Sequence, residues 1–258
     1  MQVESHGVMG AVRDQMKLMA HRLLARESVA AIEEDALSGL SRVPGIRHVV
    51  SAYHRAAASG SALCSEGDKY GEYSVFINPI DGIENYSRGS RFFGASALVV
   101  HIGGSCHSFI LDGTSGRLRE SDSWRRSEGF SEPSGTKRVL AIGRFPGTSA
   151  SECDVLGSIS IRWFGSTTLA VLAVADRHVD VVLNKTKAWN VWWAIPLAAN
   201  GVVVIEPLLT LPDMLGSLEN GTWRDTSSLA LFCTHPGVEN APWVQTFRTG
   251  FMGRWGKR

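Results

Sequence analysis

The chain lacks three features that would mark it as a specialised class of protein. Its four cysteines lie far apart, which excludes a disulfide-rich scaffold and the Cys-x-x-Cys spacing of a zinc site. Neither sign of charge is in excess, because 26 Lys and Arg balance 25 Asp and Glu. No hydrophobic run approaches the roughly 18 residues of a membrane span, and the first residues lack a signal-peptide pattern. We therefore expect a cytoplasmic protein that binds neither nucleic acid nor membrane.

The hydrophobic fraction of 44% is enough for a substantial core, and its periodicity changes along the chain. Apolar residues at helical spacing predict helices over residues 8–26 and 29–41. Between about residues 70 and 118 the apolar residues form short runs separated by turn signals, and Asp112-Gly113 is typical of a hairpin turn. This pattern predicts an antiparallel sheet.

A polar stretch rich in Ser and Gly, residues 120–136, is the best candidate for a subdomain boundary. After it, strand-like runs alternate with helical patterns, one of which opens at Asn190 and ends at Asn200-Gly201. We predict an α/β fold of the layered α+β sandwich type, with an antiparallel sheet and N-terminal helices, then a second, mixed sheet with helices. The two subdomains, 1–135 and 136–258, are expected to form one compact unit.

Four segments occur in the order and at roughly the spacing of a known family. They are Ser65-Glu66, NPIDGIENY at 78–86, GSTTLAVLAVADRHVDVVL at 165–183 and AWNVWWAIPLAANGVVVIEP at 188–207. Together they resemble the inositol monophosphatase superfamily of magnesium-dependent, lithium-sensitive phosphatases. The family's hallmarks are a Glu-Glu pair, a D-P-[IL]-D-G-[TS] turn and a W-D-x-A-[AG] helix start. The resemblance covers roughly residues 10–240 and implies the family's layered fold, a small-molecule ligand and a homodimer.

In the family, the first Glu of the pair and three motif aspartates hold magnesium ions against a phosphate group. Transferred to this chain, Glu66 matches that Glu, and Asp81 matches the second Asp of the turn. Gly67 stands where the second Glu would be, Asn78 at the first Asp of the turn and Asn190 at the Asp of the W-D motif. The resemblance thus leaves Glu66 and Asp81 as weak metal ligands.

Other positions also depart from the family. Ile83 replaces the Thr that helps to position the attacking water, and Glu33 is a loose match to the acid that assists it. Glu84 is either a replacement metal ligand or a favourable acid in the first helical turn. Trp193, three residues after Asn190, either fills the pocket or presents an aromatic wall to an apolar or cationic ligand.

Candidate site residues fall into two groups. The carboxylates expected to do chemistry are Asp81, Glu66, Glu84 and Glu33. The residues expected to contact a substrate are Gly82, Ile83, Gly165, Ser166, Thr167, Asn184 and Trp193. Among these, Ser166 and Thr167 fit a phosphate-binding helix start and a simple helix cap equally well.

Replacing aspartate by asparagine exchanges two anionic oxygens for one neutral carbonyl oxygen, which weakens a magnesium site. We therefore expect no tightly bound cofactor, and at most weak binding of Mg²⁺. The favoured hypothesis is a repurposed small-molecule enzyme that uses carboxylate acid/base chemistry in the old phosphatase cleft. Two alternatives stay open. One is a residual Mg²⁺-dependent phosphomonoesterase acting on a sugar or cyclitol phosphate, and the other is a non-catalytic binding or regulatory pseudo-phosphatase.

Overall fold

The computed structural model describes residues 2–51, 64–124, 138–142, 159–207 and 229–255. The chain divides into two compact units, Met1–Ser123 and Trp124–Arg258. The predicted subdomain boundary after residue 135 lies outside the described residues and stays a prediction. Within the described ranges, no helix is both long and apolar enough to cross a membrane.

Two helices open the first unit, as the apolar periodicity predicts. They are α1, Gln2–Leu24, and α2, Val29–Ser41. The apolar residues of α1 recur every three or four positions, so they form one stripe that is buried in the core. These residues are Val8, Val12, Met16, Met19 and Leu23. The corresponding stripe of α2 includes Val29, Ile32, Ala36 and Leu40, and it joins the same core.

These helices pack on a six-stranded sheet. Its strands are β1 Ile46–Ser51, β2 Cys64–Glu66, β3 Tyr73–Asp81, β4 Gly94–His101, β5 Cys106–Asp112 and β6 Arg117–Glu120. The order is β2-β1-β3-β4-β5-β6, and every neighbouring pair is antiparallel except β1 and β3, which are parallel. A short helix, α3 (Ile83–Ser87), lies between β3 and β4. The sheet is thus mixed through one parallel pair that the sequence pattern did not reveal.

The second unit contains a five-stranded mixed sheet. Its strands are β7 Arg138–Ile142, β8 Ile159–Arg162, β9 Val181–Thr186, β10 Val204–Glu206 and β11 Leu229–Thr234. The order is β10-β11-β9-β7-β8, with β7 parallel to both of its neighbours and β11 antiparallel to both of its own. The helices are α4 Thr167–Ala175, α5 Ile195–Ala199 and α6 Pro242–Trp255. Two layered sheets with helices confirm the predicted α/β class.

The helix predicted to open at Asn190 is broken. Two 3₁₀ turns, Ala188–Asn190 and Trp192–Ala194, precede α5, which carries Pro196 in its first turn. Proline lacks an N–H group and clashes with the preceding turn, so it is tolerated only where an α-helix starts. The continuous helix expected from the sequence therefore cannot form across this segment.

Candidate functional site

A bulge at the end of β3 places two polar residues on the same face of the sheet. Asn78 pairs with Ser96 of β4, and Asp81 pairs with Gly94, so β3 carries one more residue than β4 between these points. Ser96 and Gly94 are two residues apart and therefore face the same side. Asn78 and Asp81 share that side, although a regular strand would separate them. Pro79 suits the bulge because it has no N–H for the ladder.

This polar face lies opposite the helices. Ile77 and Ile80, which flank the bulge, both belong to the core that α1 and α2 cover. Asn78 is 4% exposed and Asp81 is 8% exposed. A buried carboxylate is costly unless hydrogen bonds or other charges stabilise it, so Asp81 is a strong candidate for a functional group.

The turn after Asp81 depends on a glycine. Gly82 has φ 93° and ψ 38°, a left-handed conformation that favours glycine, and it caps the N-terminus of α3. Ile83 is 38% exposed, and Glu84 is also exposed. Since α3 has only five residues, its N-terminus adds little positive potential for an anion. The turn therefore exposes an apolar side chain and a carboxylate, both beside the buried Asp81.

Glu33 contacts the sheet from the helix side. It is buried in α2, and its Oε1 accepts a short hydrogen bond from the hydroxyl of Ser51, the last residue of β1. Ser51 pairs with Ile77 in the parallel β1–β3 register, and Ile77 faces the helices. Glu33 and Asp81 thus lie on opposite faces of the sheet, near the same strand ends. The role of Ser51 was missed, because only the tertiary pairing of β1 reveals it.

The segment that follows β2 has no room for the family's second glutamate. Glu66 lies opposite His48 in the antiparallel β1–β2 pair. At Gly67, a Cβ atom would lie 2.2 Å from the carbonyl oxygen of Ile46, far inside contact distance. The backbone at this position is fixed, because the Gly67 N–H donates to the carbonyl of Arg47 at 2.9 Å. A carboxylate at position 67 is therefore sterically excluded in this backbone conformation.

In the second unit, Ser166 caps helix α4. Its side chain accepts a hydrogen bond from the N–H of Leu169 at 3.2 Å. Gly165, immediately before it, has φ 65°, again in the left-handed region. The cap fixes the first turn of α4 and so fixes Thr167, whose side chain is buried against the neighbouring strand β9.

Four neutral side chains form a connected hydrogen-bond network at this helix start. The Asn184 amide donates to Thr167 Oγ1 at 2.7 Å, and the hydroxyls of Thr167 and Thr186 lie 2.9 Å apart. The Asn190 amide donates to Thr186 Oγ1 at 3.0 Å. Thr186 was not predicted, although it lies two residues beyond Asn184 in β9 and therefore shares its face. Asn190, which the sequence resemblance matches to an aspartate of the family, is thus part of an uncharged network.

Trp193 continues this network into the core. Its indole N–H donates to the carbonyl oxygen of Asn190 at 2.9 Å, and the residue is only 1% exposed. The contact between residues 190 and 193 was expected, but it forms in 3₁₀ turns and not in an α-helix. With its polar atom satisfied and its rings buried, Trp193 presents almost no surface to a ligand in this conformation.

Removing one hydroxyl tests the network. Thr167→Val keeps the shape of the side chain but deprives the Asn184 amide and the Thr186 hydroxyl of a buried partner. We expect a loss of about 1–3 kcal/mol in the free energy of unfolding, measured by urea titration. The matched control is Thr246→Val on the exposed side of α6, where we expect a change within about 0.5 kcal/mol. An equal loss in both variants would contradict the network.

Within the first unit the structure brings Asn78 and Asp81 together. Within the second unit it brings together Thr167, Asn184, Asn190 and Trp193. Among the described residues, no group of three or more His, Cys, Asp and Glu side chains could hold a metal ion. The side chain of Glu66 lies outside the described part of the chain.

Solved structures match the whole length of the chain at low sequence identity. A 2′-AMP-bound structure of SaIMPase-II has a TM-score of 0.62 at 13% identity, covering 97% of this chain and 99% of that one. An inositol monophosphatase from Anabaena (Nostoc) has a TM-score of 0.61 at 16% identity, covering 98% of each chain. An extragenic suppressor from Pyrococcus furiosus has a TM-score of 0.63 at 15% identity, covering 93% and 97%.

No family model and no curated protein sequence matches the chain. The structural matches therefore show the fold, which is that of the inositol monophosphatases. They confirm the sequence resemblance at this level.

Proposed function

We propose that this chain binds a small polar molecule without a pair of divalent metal ions and carries out acid/base chemistry on it. The observation that carries the proposal is the uncharged network at Asn190, in which Thr186 accepts a hydrogen bond from the Asn190 amide group. The Asn190 amide could offer a magnesium ion only one neutral oxygen, where a carboxylate would offer two anionic ones.

We infer that the residues present do not fit two magnesium ions. Two such ions held close together repel one another and need several carboxylates to offset that repulsion. Asn78 is neutral and buried, Asn190 belongs to the neutral network, and position 67 has no space for a side chain. Only Asp81 and Glu66 remain from the family's ligand set.

Asp81 is the best candidate for proton transfer. It is buried at the end of β3, and the bulge that follows Asn78 fixes its direction. Enzymes tune buried carboxyl groups so that they can give up or take a proton near neutral pH. In this proposal Glu66 and Glu84 are further candidates, and Glu33, held by Ser51, supports the strand ends from the helix side.

Two solved structures with this fold suggest the first ligands to test. One contains 2′-AMP and another contains inositol monophosphate, both small phosphate esters with several hydroxyl groups. We propose a ligand of similar size and polarity. That the protein is a homodimer and acts in the cytoplasm stays a prediction, and sedimentation velocity tests the first part.

A non-catalytic binding protein is the second candidate, and the burial of Trp193 favours it. The indole ring is buried and its N–H donates a hydrogen bond, as expected of a residue that stabilises the core. A residual Mg²⁺-dependent phosphomonoesterase is the third possibility, and it predicts metal-dependent turnover.

Metal titration separates these functions first. We expect isothermal titration with Mg²⁺ or Mn²⁺ to show no binding tighter than millimolar, and negligible hydrolysis of inositol 1-phosphate and 2′-AMP. The reason is the missing anionic charge at positions 78 and 190, where the resemblance implies carboxylate ligands. A clear micromolar isotherm together with hydrolysis would overturn the proposal in favour of the phosphomonoesterase.

A metabolite screen then separates the enzyme from the binding protein. A mixture of polar small molecules is incubated with the protein and excess EDTA, and mass spectrometry follows their consumption. We expect consumption of at least one compound, and its loss in Asp81→Asn. Compounds that are retained by both proteins but never consumed would support the binding protein.

A further inference from the structure

Helix α3, which begins directly after Asp81 and Gly82, is too short to be stable by itself. It has five residues, and the first turn of a helix fixes several dihedral angles for a single hydrogen bond. No side chain among the described residues caps its N-terminus. The order of this segment must therefore come from contacts with other elements of the first unit.

Arg26, just beyond the end of α1, makes such contacts at the C-terminal end of α3. Its Nη1 donates to the carbonyl oxygen of Tyr86 at 3.0 Å, and its Nη2 donates to those of Gly89 at 2.5 Å and Ser90 at 2.9 Å. The last carbonyl groups of a helix lack partners within it and carry partial negative charge, so a cation that donates to them is favourable. The Arg26 side chain is thus a cap supplied from outside the segment.

The same guanidinium lies against two aromatic rings of the core. Its central carbon is 4.9 Å from the ring centre of Tyr86 and 5.7 Å from that of Phe93, and the two rings meet edge to face with 5.2 Å between their centres. In the reverse direction, the Tyr86 hydroxyl donates to the carbonyl oxygen of Glu27 at 2.7 Å. Contacts in both directions therefore join the turn after α1 to α3.

The backbone at Arg26 adopts a conformation that few residues other than glycine tolerate. Its φ is 65°, in the left-handed region, and its N–H donates to the carbonyl oxygen of Leu23 at 3.1 Å. A glycine at this position would be unstrained, but it would have no side chain to reach α3. The strain at Arg26 is therefore offset by the contacts of its side chain.

We propose that Arg26 is a positioning residue for Asp81. By capping α3 it holds the turn at Gly82, and it thereby keeps the Asp81 carboxyl group in place at the end of β3. The same cap orders Ile83 and Glu84, the other candidate site residues of this turn. The chemical role of Asp81 rests on the proposed function, whereas its positioning by Arg26 does not.

Arg26→Gly tests the proposal, because glycine suits the left-handed backbone and only the side chain is lost. A carbodiimide with glycine ethyl ester labels accessible carboxyl groups, and tandem mass spectrometry follows each one. In the unaltered chain the exposed Glu84 should be labelled quickly and the buried Asp81 slowly. We expect Arg26→Gly to raise the labelling rate of Asp81 by about tenfold, because it removes three hydrogen bonds that keep α3 in place. Arg26→Lys keeps the charge without the planar fork, so it should give a smaller rise.

Arg22→Ala is the matched control. Arg22 lies in the last turn of α1 and donates to Glu27 at 2.7 Å and to Asp35 at 2.5 Å, and neither contact involves α3. The labelling rate of Asp81 should stay unchanged in this variant. An equal rise in the Arg22 and Arg26 variants would mean that any loss of contacts between α1 and α2 exposes Asp81, and it would overturn the proposal.

Glu33 provides an internal reference, because it is a buried carboxylate of the same unit and is 4% exposed. We expect it to stay protected in Arg26→Gly. Labelling that rises equally at Glu33 and Asp81 would assign Arg26 a general role in folding, and no rise at Asp81 would show that α3 keeps its place without Arg26. Either result overturns the proposal. If Arg26→Gly does not fold, the same comparison in Arg26→Lys decides.

The labelling experiment needs no ligand, so it is independent of the proposed function. A failure of that function would appear as consumption of a compound that Asp81→Asn does not abolish, with the labelling result unaffected. A failure of the positioning would appear as unchanged labelling of Asp81 in Arg26→Gly, whether or not a compound is consumed. Where both hold, Arg26→Gly should slow consumption by about tenfold or more, since a displaced catalytic group loses much of its effect.

Discussion

Replacing Asn78 and Asn190 together by aspartate is expected to raise the affinity of the chain for Mn²⁺ and Mg²⁺ by about tenfold or more. Each substitution exchanges a neutral amide for a carboxylate at a position that the sequence resemblance matches to an aspartate of the inositol monophosphatases. Isothermal titration with each ion, on the unaltered chain and on the double variant, measures the change.

In the absence of metal, we expect the two substitutions to lower the stability of the folded chain by different amounts. Asn78→Asp places a second buried carboxylate on the same sheet face as Asp81, one bulge away, and like charges repel. We expect its melting temperature to fall in EDTA and to recover with Mn²⁺. We expect Asn190→Asp to destabilise the chain less. In the unaltered chain the Thr186 hydroxyl accepts a hydrogen bond from Asn190, and in the variant it can rotate and donate one to the new carboxylate.

Exposed asparagines provide the control for charge alone. Asn200→Asp with Asn240→Asp changes the net charge equally at two exposed positions and should leave metal affinity unaltered. If the double variant at positions 78 and 190 binds metal no better than the unaltered chain, and Trp193→Ala added to it changes nothing, then these residues do not belong to a metal site in this fold.

Gly67→Glu, which would restore the family's paired glutamate, is expected to destabilise the chain and not to repair a metal site. The new Cβ would lie 2.2 Å from the carbonyl oxygen of Ile46, and that atom is backbone and cannot move away alone. Forcing a side chain into such a contact costs about 1–3 kcal/mol or more. Urea unfolding of the variant, with and without Mn²⁺, measures the loss.

Gly10→Ala is a control substitution whose expected effect on stability has the opposite sign. Gly10 lies in α1 with open space around its Cβ position, so alanine should stabilise the helix by up to about 1 kcal/mol. A Gly67→Glu variant that is as stable as the unaltered chain, or that gains metal affinity, would show that the segment after β2 adopts another backbone conformation.

The elements predicted from sequence are those with strong local periodicity. Helices α1, α2 and α4 carry long apolar patterns, and β3 to β5 are apolar runs separated by turn signals. Strand β6 follows the Asp112-Gly113 turn signal as the second arm of a hairpin. Strand β1 was missed because IRHVVS is short and Arg47 and His48 interrupt its apolar residues. Its parallel pairing with β3 is a long-range contact that no local pattern encodes. Strands β2 and β8 were missed because they have only three and four residues.

The candidate site was also predictable from the sequence only in part. Motif spacing identified Asn78, Asp81 and Asn190, but three-residue spacing in a regular strand would have put Asn78 and Asp81 on opposite faces. The bulge corrects this, and Pro79 was the available signal for it. Ser51 was missed because it acquires its role only through Glu33, which is distant in sequence. Thr186 was missed because its contact with Thr167 joins two separate elements, β9 and α4.

The proposal that this chain has no two-metal centre is tested most directly by anomalous diffraction from a crystal of the unaltered protein soaked in Mn²⁺ and phosphate. Neutral amides at positions 78 and 190 predict no pair of manganese peaks beside Asp81. Two peaks bridged by the side chain of Asn78 would contradict the account.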